Sequence, residues 1–161
     1  GELCVRGYSV MLGYWEDHEK SGEVIDSARW MHTGDIAEMD EAGFVKIKGR
    51  IKDVVIRGGE NLFPKEIEDF LYTHPDVSDV QVIGLPDARY GEELCACIIL
   101  HEHHEITEES IRQYCAEHIS HNKVPRYVRF FNEFPMTASG KAQKFKLQEF
   151  MHNELDLKEI A

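Results

Sequence analysis

The chain has 161 residues, of which 42% are hydrophobic and 30% are charged, and its formal net charge is -12 at pH 7. This composition is typical of an ordinary globular protein with one medium domain or two small units, and it excludes a disordered chain. The negative charge disfavours nonspecific binding to nucleic acid or to an anionic membrane, because phosphate groups attract basic surfaces.

No apolar run reaches the roughly 18 residues of a membrane span, and no leader of basic and apolar residues opens the chain. We therefore expect a cytoplasmic protein without a transmembrane segment. The opening Gly1-Glu2-Leu3 lacks a methionine, from which we expect the chain to be a piece of a longer protein.

Residues 1–50 have the pattern of short strands and turns. The runs "ELCVRG" (2–7) and "GFVKIKG" (43–49) alternate apolar and polar side chains, and "DEAG" (40–43) supplies a hairpin loop. We expect a β-rich segment that forms part of an antiparallel sheet.

Residues 51–161 alternate helices with strands, which predicts a small α+β domain with a short central sheet flanked by helices. The junction "GRIKD" (49–53) is a charged connection that could act as a hinge. Pro64 suits the first turn of a helix. The predicted elements are a helix over 64–73, strands over 77–85 and 93–100, a helix over 107–119, a strand over 127–131 and a closing helix over 143–157.

Two groups of potential metal ligands have plainer explanations. Cys95 and Cys97 fall two positions apart in an apolar strand, so they share one face and suit buried structural thiols better than a metal knuckle. The run "HEHHE" (101–105) joins a strand to a helix, where a solvated turn is expected. We assign no metal ligands.

The loop "PMTASGK" (135–141) contains a Gly-Lys pair like that of a phosphate-binding loop. A Walker P-loop is excluded, because Pro135 stands in place of its first glycine and Ala142 follows the lysine instead of Ser or Thr. Lys141 is then either an ordinary surface lysine or a lysine delivered to an active site assembled elsewhere.

Three further glycine-marked stretches, "HTGD" (32–35), "KGR" (48–50) and "RGGEN" (57–61), are weak signals when taken singly, since each is typical of a turn. In this order, and followed by "PMTASGK", the chain resembles the carboxyl-terminal part of the adenylate-forming superfamily. This superfamily contains acyl-CoA synthetases, adenylation domains of peptide synthetases and luciferases. "RGGENLFPKEIE" is most similar to medium- and long-chain fatty acyl-CoA synthetases.

The resemblance implies a two-step reaction. A carboxylic acid attacks the α-phosphate of ATP, and the thiol of coenzyme A then displaces AMP from the acyl-adenylate. Lys141 matches the catalytic lysine that also contacts the nucleotide, where a cation lowers the cost of bringing two anions together. Asp35 matches the ribose-binding aspartate, and Arg50 matches a nucleotide-contacting arginine.

The resemblance also implies a moving domain. Lys52 occupies the hinge position, about which the small domain would present Lys141 for adenylation and then the "RGGEN" loop for thioester formation. Gly58 and Gly59 would let the backbone approach the pantetheine arm, although a role in the turn alone is the alternative. Coenzyme A contacts are also assigned to three charged residues: Arg57, Glu60 and Lys123.

The family's phosphate loop, adenine-binding motif and acyl pocket do not appear in this chain. Residues 1–50 would be the end of the large N-terminal domain and residues 51–161 the mobile C-terminal domain. The partner of this chain would then be the N-terminal domain of the same protein. That domain is also expected to hold the Mg²⁺ ligands. We therefore expect the chain alone to be inactive.

Two alternatives stay open beside a synthetase that uses free coenzyme A. The first is an adenylation domain that loads the phosphopantetheine of a carrier protein. The second is a stand-alone module that binds a protein partner. The "PMTASGK" pattern also makes Lys141 a candidate substrate of a lysine acetyltransferase, which would remove its charge.

Overall fold

The computed structural model describes residues 1–155, which form two compact units that divide between Lys52 and Asp53. Each unit has its own sheet. Among these residues no helix combines the length and the apolar character that a membrane crossing requires.

The first unit is an antiparallel sheet in the order β1-β2-β3. The hairpin loop predicted at "DEAG" is confirmed: one carboxylate oxygen of Asp40 accepts hydrogen bonds from the backbone N–H groups of Ala42 and Phe44, each at 2.9 Å. The elements are β1 (Glu2–Val5), α1 (His18–Val24), β2 (Met31–Met39) and β3 (Val45–Arg50).

The expectation that the first fifty residues contain only strands and turns is wrong, because α1 lies between β1 and β2. Asp17 caps this helix by accepting a hydrogen bond from the backbone N–H of Lys20 at 2.9 Å. The helix has seven residues and buries none of them, so it carries no apolar stripe that hydrophobic periodicity could have detected.

The second unit is the predicted α+β domain, and its fold class is confirmed. Strand β7 lies at the centre of its sheet, antiparallel to β6 and parallel to β8, and β4 meets β7 at the pair Arg57 and Gly91. The strands are β4 (Val55–Arg57), β5 (Glu60–Leu62), β6 (Val77–Asp87), β7 (Gly91–Leu100) and β8 (Tyr127–Phe130). The helices are α2 (Pro64–Leu71), α3 (Glu108–His118) and α4 (Lys144–Glu154), and positions 156 and 157 of the predicted closing helix lie outside the described residues.

The two faces of this sheet pack into two hydrophobic clusters, because side chains alternate along β7. One face joins Leu94, Ala96 and Ile98 to residues of α2 and α3. The other face joins Cys95 and Cys97 to residues of α4. The prediction that these two cysteines are buried structural thiols on one face is therefore confirmed. Their hydrogen bond and their burial raise the pKa of the Cys95 thiol, which opposes thiolate chemistry.

Candidate functional site

Lys141 lies at the end of a tight hairpin turn. Thr137 closes the turn: its N–H donates to the Lys141 carbonyl at 2.8 Å, and its Oγ1 accepts from the Lys141 N–H at 3.0 Å. Gly140 has a φ of +76°, a conformation that favours glycine. Lys141 is exposed, and its ammonium has no ion pair with any residue from 1 to 155. The fold therefore holds the backbone of Lys141 and leaves its charge available.

The helix that follows this turn is fixed by a residue that the sequence analysis missed. The Lys144 ammonium donates to Glu68 Oε1 at 2.6 Å and to the Val82 carbonyl at 3.1 Å. Glu68 is 7% exposed and also accepts from the Val82 N–H at 2.8 Å. A buried carboxylate persists only when it is paired, so this ion pair fastens the first residue of α4 to α2 and β6. The sign of this ion pair in the sequence is Glu68, a glutamate that stands between the buried apolar positions of α2.

Asp35 and Arg50 are directly opposed on the neighbouring strands β2 and β3. Arg50 Nε lies 3.1 Å from Asp35 Oδ1, and the Asp35 side chain is 26% exposed. The Asp35 N–H donates to Thr33 Oγ1 at 3.1 Å, which fixes the backbone of the "HTGD" stretch; this stretch lies inside strand β2 and not in the turn that is typical of such a motif. The structure therefore brings together the two residues predicted to contact the nucleotide.

The "RGGEN" stretch is the hairpin that joins β4 to β5. Arg57 pairs with Glu60 across a two-residue turn, in which Gly58 has a φ of +59° and Gly59 a φ of +86°. Positive φ at both central residues is the signature of a type I′ turn. A Cβ atom at Gly58 would lie 3.3 Å from the Tyr90 ring, whereas a Cβ atom at Gly59 would have no neighbour within 4 Å.

The flanking charges of this hairpin are engaged within the second unit. Arg57 Nε lies 2.8 Å from Glu93 Oε2, and Arg57 Nη1 donates to the Asn122 carbonyl at 2.9 Å. Glu93 is only 1% exposed. The Asn122 amide donates to Glu60 Oε2 at 2.5 Å. Arg57 and Glu60 therefore share a neighbour, and both position the hairpin against the turn at residues 121–123.

The two remaining predicted residues are lysines on the surface. Lys123 donates to Glu66 Oε1 at 2.6 Å in an ion pair whose side chains are 28% and 53% exposed. Lys52 is exposed in a short 3-10 turn, Ile51–Asp53, at the division between the two units.

The turn between β6 and β7 supports the same hairpin. Asp87 Oδ1 accepts from the backbone N–H groups of Arg89 and Tyr90 at 2.9 and 2.8 Å, and Arg126 donates to Asp87 Oδ2 at 2.8 Å. The Tyr90 carbonyl in turn accepts from the Gly58 N–H at 2.8 Å. The hydrogen bond from the Tyr90 backbone holds the pKa of Asp87 below its ordinary value, and Arg89 and Arg126 act in the same direction.

One group of potential metal ligands occurs within residues 1–155, and it lies in the first unit: Glu2, Cys4 and His32, whose donor atoms all lie within 4.8 Å of one another. Sequence spacing did not reveal this group, because 25 residues and an unpredicted helix separate the two strands that carry it. The "HEHHE" segment contributes no such group among the same residues, although His104 Nδ1 lies 2.5 Å from Asp76 Oδ1.

Residues 66–141 match the family model of the AMP-binding enzyme C-terminal domain. The chain is 55% identical over 157 residues to the medium-chain acyl-CoA ligase ACSF2, mitochondrial, of Homo sapiens, covering 98% of this chain and 26% of that protein. It is 52% identical over 149 residues to the putative acyl-CoA synthetase YngI of Bacillus subtilis, covering 92% of this chain and 27% of YngI.

A similar solved structure is that of ATP-bound MatB from Rhodopseudomonas palustris, with a TM-score of 0.88, 34% identity, and coverage of 96% of this chain and 31% of MatB. The fold is that of the corresponding part of this adenylate-forming structure, and the matched domain family agrees with it. Over nearly its whole length the chain is similar to acyl-CoA ligases, and the domain that its residues 66–141 match is the AMP-binding enzyme C-terminal domain. It spans about a quarter of the length of these curated relatives.

Proposed function

We propose that the chain is the C-terminal part of an AMP-forming acyl-CoA synthetase, an acid–thiol ligase that activates a fatty acid with ATP and transfers it to coenzyme A. The acid is of medium chain length, as in the name of the human relative. The observation that carries the proposal is the exposed Lys141 at the end of its hairpin turn, inside the domain that matches the family model.

In the first step a carboxylate oxygen of the acid bonds to the α-phosphorus of ATP, and the bond to the leaving pyrophosphate breaks. Both reactants are anions, and negative charge shifts toward the pyrophosphate as the bond breaks. The Lys141 ammonium, a compact charge on a flexible stem, lowers the energy of this transition state. Lys141 is the catalytic residue of this step.

Asp35 and Arg50 hold the nucleotide. A carboxylate accepts hydrogen bonds from both ribose hydroxyls; Arg50 contacts Asp35 Oδ1, and the Oδ2 atom of this partly exposed side chain is the acceptor that we assign to them. Arg50 is about half exposed and retains further N–H donors for ribose or phosphate oxygens. The ion pair therefore orients the carboxylate before the nucleotide arrives.

In the second step the thiol sulfur of coenzyme A bonds to the acyl carbon, AMP leaves, and the thiol proton is released. Residues 51–161 move about the hinge at Lys52, a domain alternation that brings the Gly58–Gly59 turn to the thiol. Gly59 has open space where the pantetheine arm would pass. We assign three charged residues to this part of the coenzyme A site: Arg57, Glu60 and Lys123. Arg57 and Glu60 would act indirectly, by holding the conformation of the glycine turn.

The partner of the chain in this scheme is an N-terminal domain of the same protein, in which we place the Mg²⁺ ligands and the acyl pocket. We retain a cytoplasmic location as a prediction; the human relative is named as mitochondrial. A lysine acetyltransferase would block the first step by neutralising Lys141.

The experiment uses the full-length protein, or a chimera in which this chain replaces the matching quarter of YngI. Lys141→Ala is expected to slow acid-dependent pyrophosphate release by about 10²- to 10³-fold, the usual loss for one removed transition-state donor. Thioester formation from supplied acyl-adenylate and coenzyme A is expected to stay within a factor of two or so, because it does not use this cation.

The matched control is Lys146→Ala, which removes another exposed lysine of the same segment. It is expected to leave both half-reactions unchanged. An equal loss of both half-reactions in Lys141→Ala, or full adenylation by that variant, contradicts the proposal.

A further inference from the structure

Glu2, Cys4 and His32 come from two strands that the fold places side by side. Cys4 and His32 are directly opposed in the β1–β2 ladder, and Glu2 lies two positions from Cys4 on β1. Alternation along a strand puts residues two apart on one face, so the three donors converge without a loop rearrangement. Sites built on strands hold their ligands more firmly than sites on loops.

The sulfur and the nitrogen are nearly at metal-ligand spacing, and all three donor atoms lie within 4.8 Å of one another. Zn–S and Zn–N bonds of about 2.3 and 2.0 Å set a separation of about 3.5 Å between the sulfur and the nitrogen in a tetrahedral site. Cys4 Sγ and His32 Nδ1 lie 3.6 Å apart. Glu2 Oε2 lies 2.8 Å from the same nitrogen, and Glu2 is exposed, so a small rotation of its side chain would admit an ion.

Two groups that are not themselves donors of the site lie close to its donor residues. Asp26 Oδ2 lies 3.9 Å from His32 Nε2, the ring nitrogen that faces away from Cys4 and Glu2. The second oxygen of Glu2 accepts from the Gly34 N–H at 3.1 Å. At 3.9 Å the Asp26 carboxylate acts on His32 through its charge and not through a hydrogen bond, whereas the hydrogen bond from Gly34 orients the ligating carboxylate.

The geometry points to a zinc site formed by Cys4 Sγ, His32 Nδ1 and a carboxylate oxygen of Glu2, with the negative charge of Asp26 close to the far ring nitrogen of the histidine. A thiolate and a carboxylate balance the charge of a divalent ion, and a mixed sulfur, nitrogen and oxygen set favours Zn²⁺ over Mg²⁺ or Ca²⁺. Three protein ligands leave the fourth position to water. Binding would fasten β1 to the part of β2 that carries Asp35, and it does not depend on acyl transfer.

The test is titration of the reduced 161-residue chain with Co²⁺, a spectroscopic substitute for Zn²⁺. We expect one equivalent to bind with a thiolate-to-cobalt charge-transfer band, and one equivalent of Zn²⁺ to remove that band. Cys4→Ser should abolish the band. Glu2→Gln and His32→Gln should each weaken binding by at least about 100-fold, since each removes a first ligand.

In the parent chain, Asp26 Oδ1 accepts a hydrogen bond from the Trp30 N–H at 2.8 Å. Asp26→Asn keeps an oxygen for this hydrogen bond and removes the charge. It should weaken binding by roughly 10-fold. The matched controls are His104→Gln and Cys115→Ala, which remove another histidine and another thiol and should bind as the parent chain does. Circular dichroism verifies that each variant is folded, and Glu2→Gln, at an exposed position, tests the site with the least effect on folding.

No stoichiometric binding by the parent chain, a charge-transfer band that survives Cys4→Ser, or a loss in His104→Gln equal to that in His32→Gln would each overturn the zinc site.

Discussion

Gly58 and Gly59 both have left-handed backbones, yet they face different surroundings. The Tyr90 ring would meet a side chain at Gly58, whereas the space beside Gly59 is open. A glycine next to a ring is explained by packing. A glycine with open space beside it is explained either by the conformation of the turn or by a ligand that comes close to the backbone.

Gly59→Ala separates these two explanations. The variant carries the cost of a left-handed alanine, about 1 kcal/mol, without a clash in the structure. If pantetheine passes over the turn, we expect thioester formation from acyl-adenylate to slow by about tenfold, while adenylation is unchanged. The measurement uses the full-length protein or the YngI chimera.

Gly43→Ala is the matched control, since Gly43 has a φ of +87° and equally open space but lies in the first unit. It should leave thioester formation unchanged. A normal rate in Gly59→Ala would assign Gly59 to the turn alone.

At this scale the sequence identified residues but not their contacts. The motif "HTGD" pointed to Asp35 and "KGR" to Arg50, but their pairing depends on a shift in strand register between Ile36 and Ala37. Such a bulge cannot be read from alternation, because one extra residue reverses the faces beyond it. Lys144 was missed for a similar reason: its partner Glu68 lies 76 positions away.

Among the elements, the turn between β6 and β7 depends on one ionised side chain. Asp87 accepts two backbone hydrogen bonds and one from Arg126, and its pKa is lowered. The folded state therefore favours the charged carboxylate. The stabilisation is present above the ordinary pKa of 3.8 and is lost as the pH falls through the lower folded-state pKa.

Asp87→Asn keeps an oxygen for the backbone N–H groups and removes the charge. We expect the variant to lose about 1 kcal/mol of unfolding free energy at pH 7, the difference between charged and neutral hydrogen bonds. The loss should shrink toward zero as the pH falls below 3. Urea unfolding at pH 7, 5 and 3 measures it, and an equal loss at all three values would contradict the titration of Asp87.

The elements that periodicity predicted are the buried ones. Helix α2 and strands β6 and β7 were predicted to within two or three residues, because each buries an apolar face or run. Helix α1 buries nothing and strand β5 has three residues, so neither produced a hydrophobic signal. Capping by Asp17 was the available sign of α1.

For the whole molecule, the two compact units carry different parts of the proposed chemistry. Asp35 and Arg50 belong to the first unit, and Lys141 and the Gly58–Gly59 turn belong to the second. The boundary at Lys52 and Asp53 coincides with a short turn in which Ile51 and Lys52 are exposed and Asp53 is half-buried, a place where a hinge is possible. The α+β fold was readable from the alternation of elements, but motion about the hinge is a proposal.

We expect the 161-residue chain alone to form no acyl-CoA above the uncatalysed background. Its proposed residues contact the nucleotide and the thiol, but we place the acyl pocket and the Mg²⁺ ligands in the rest of the protein. The measurement follows AMP and acyl-CoA with ATP, Mg²⁺, a medium-chain fatty acid and coenzyme A. The YngI chimera is the positive control, and turnover by the isolated chain would contradict this division of roles.

The ion pair between Lys144 and Glu68 bears on the order of the two proposed half-reactions. Because α4 is fastened to α2 and β6 directly after the Lys141 turn, that turn has little freedom to travel by itself. In the proposed alternation, Lys141 and the Gly58–Gly59 turn would move as parts of one body. Withdrawing Lys141 from the reacting atoms and bringing in the glycine turn would then be a single event, so the proposed enzyme would be unable to perform both half-reactions at once and would keep them in order.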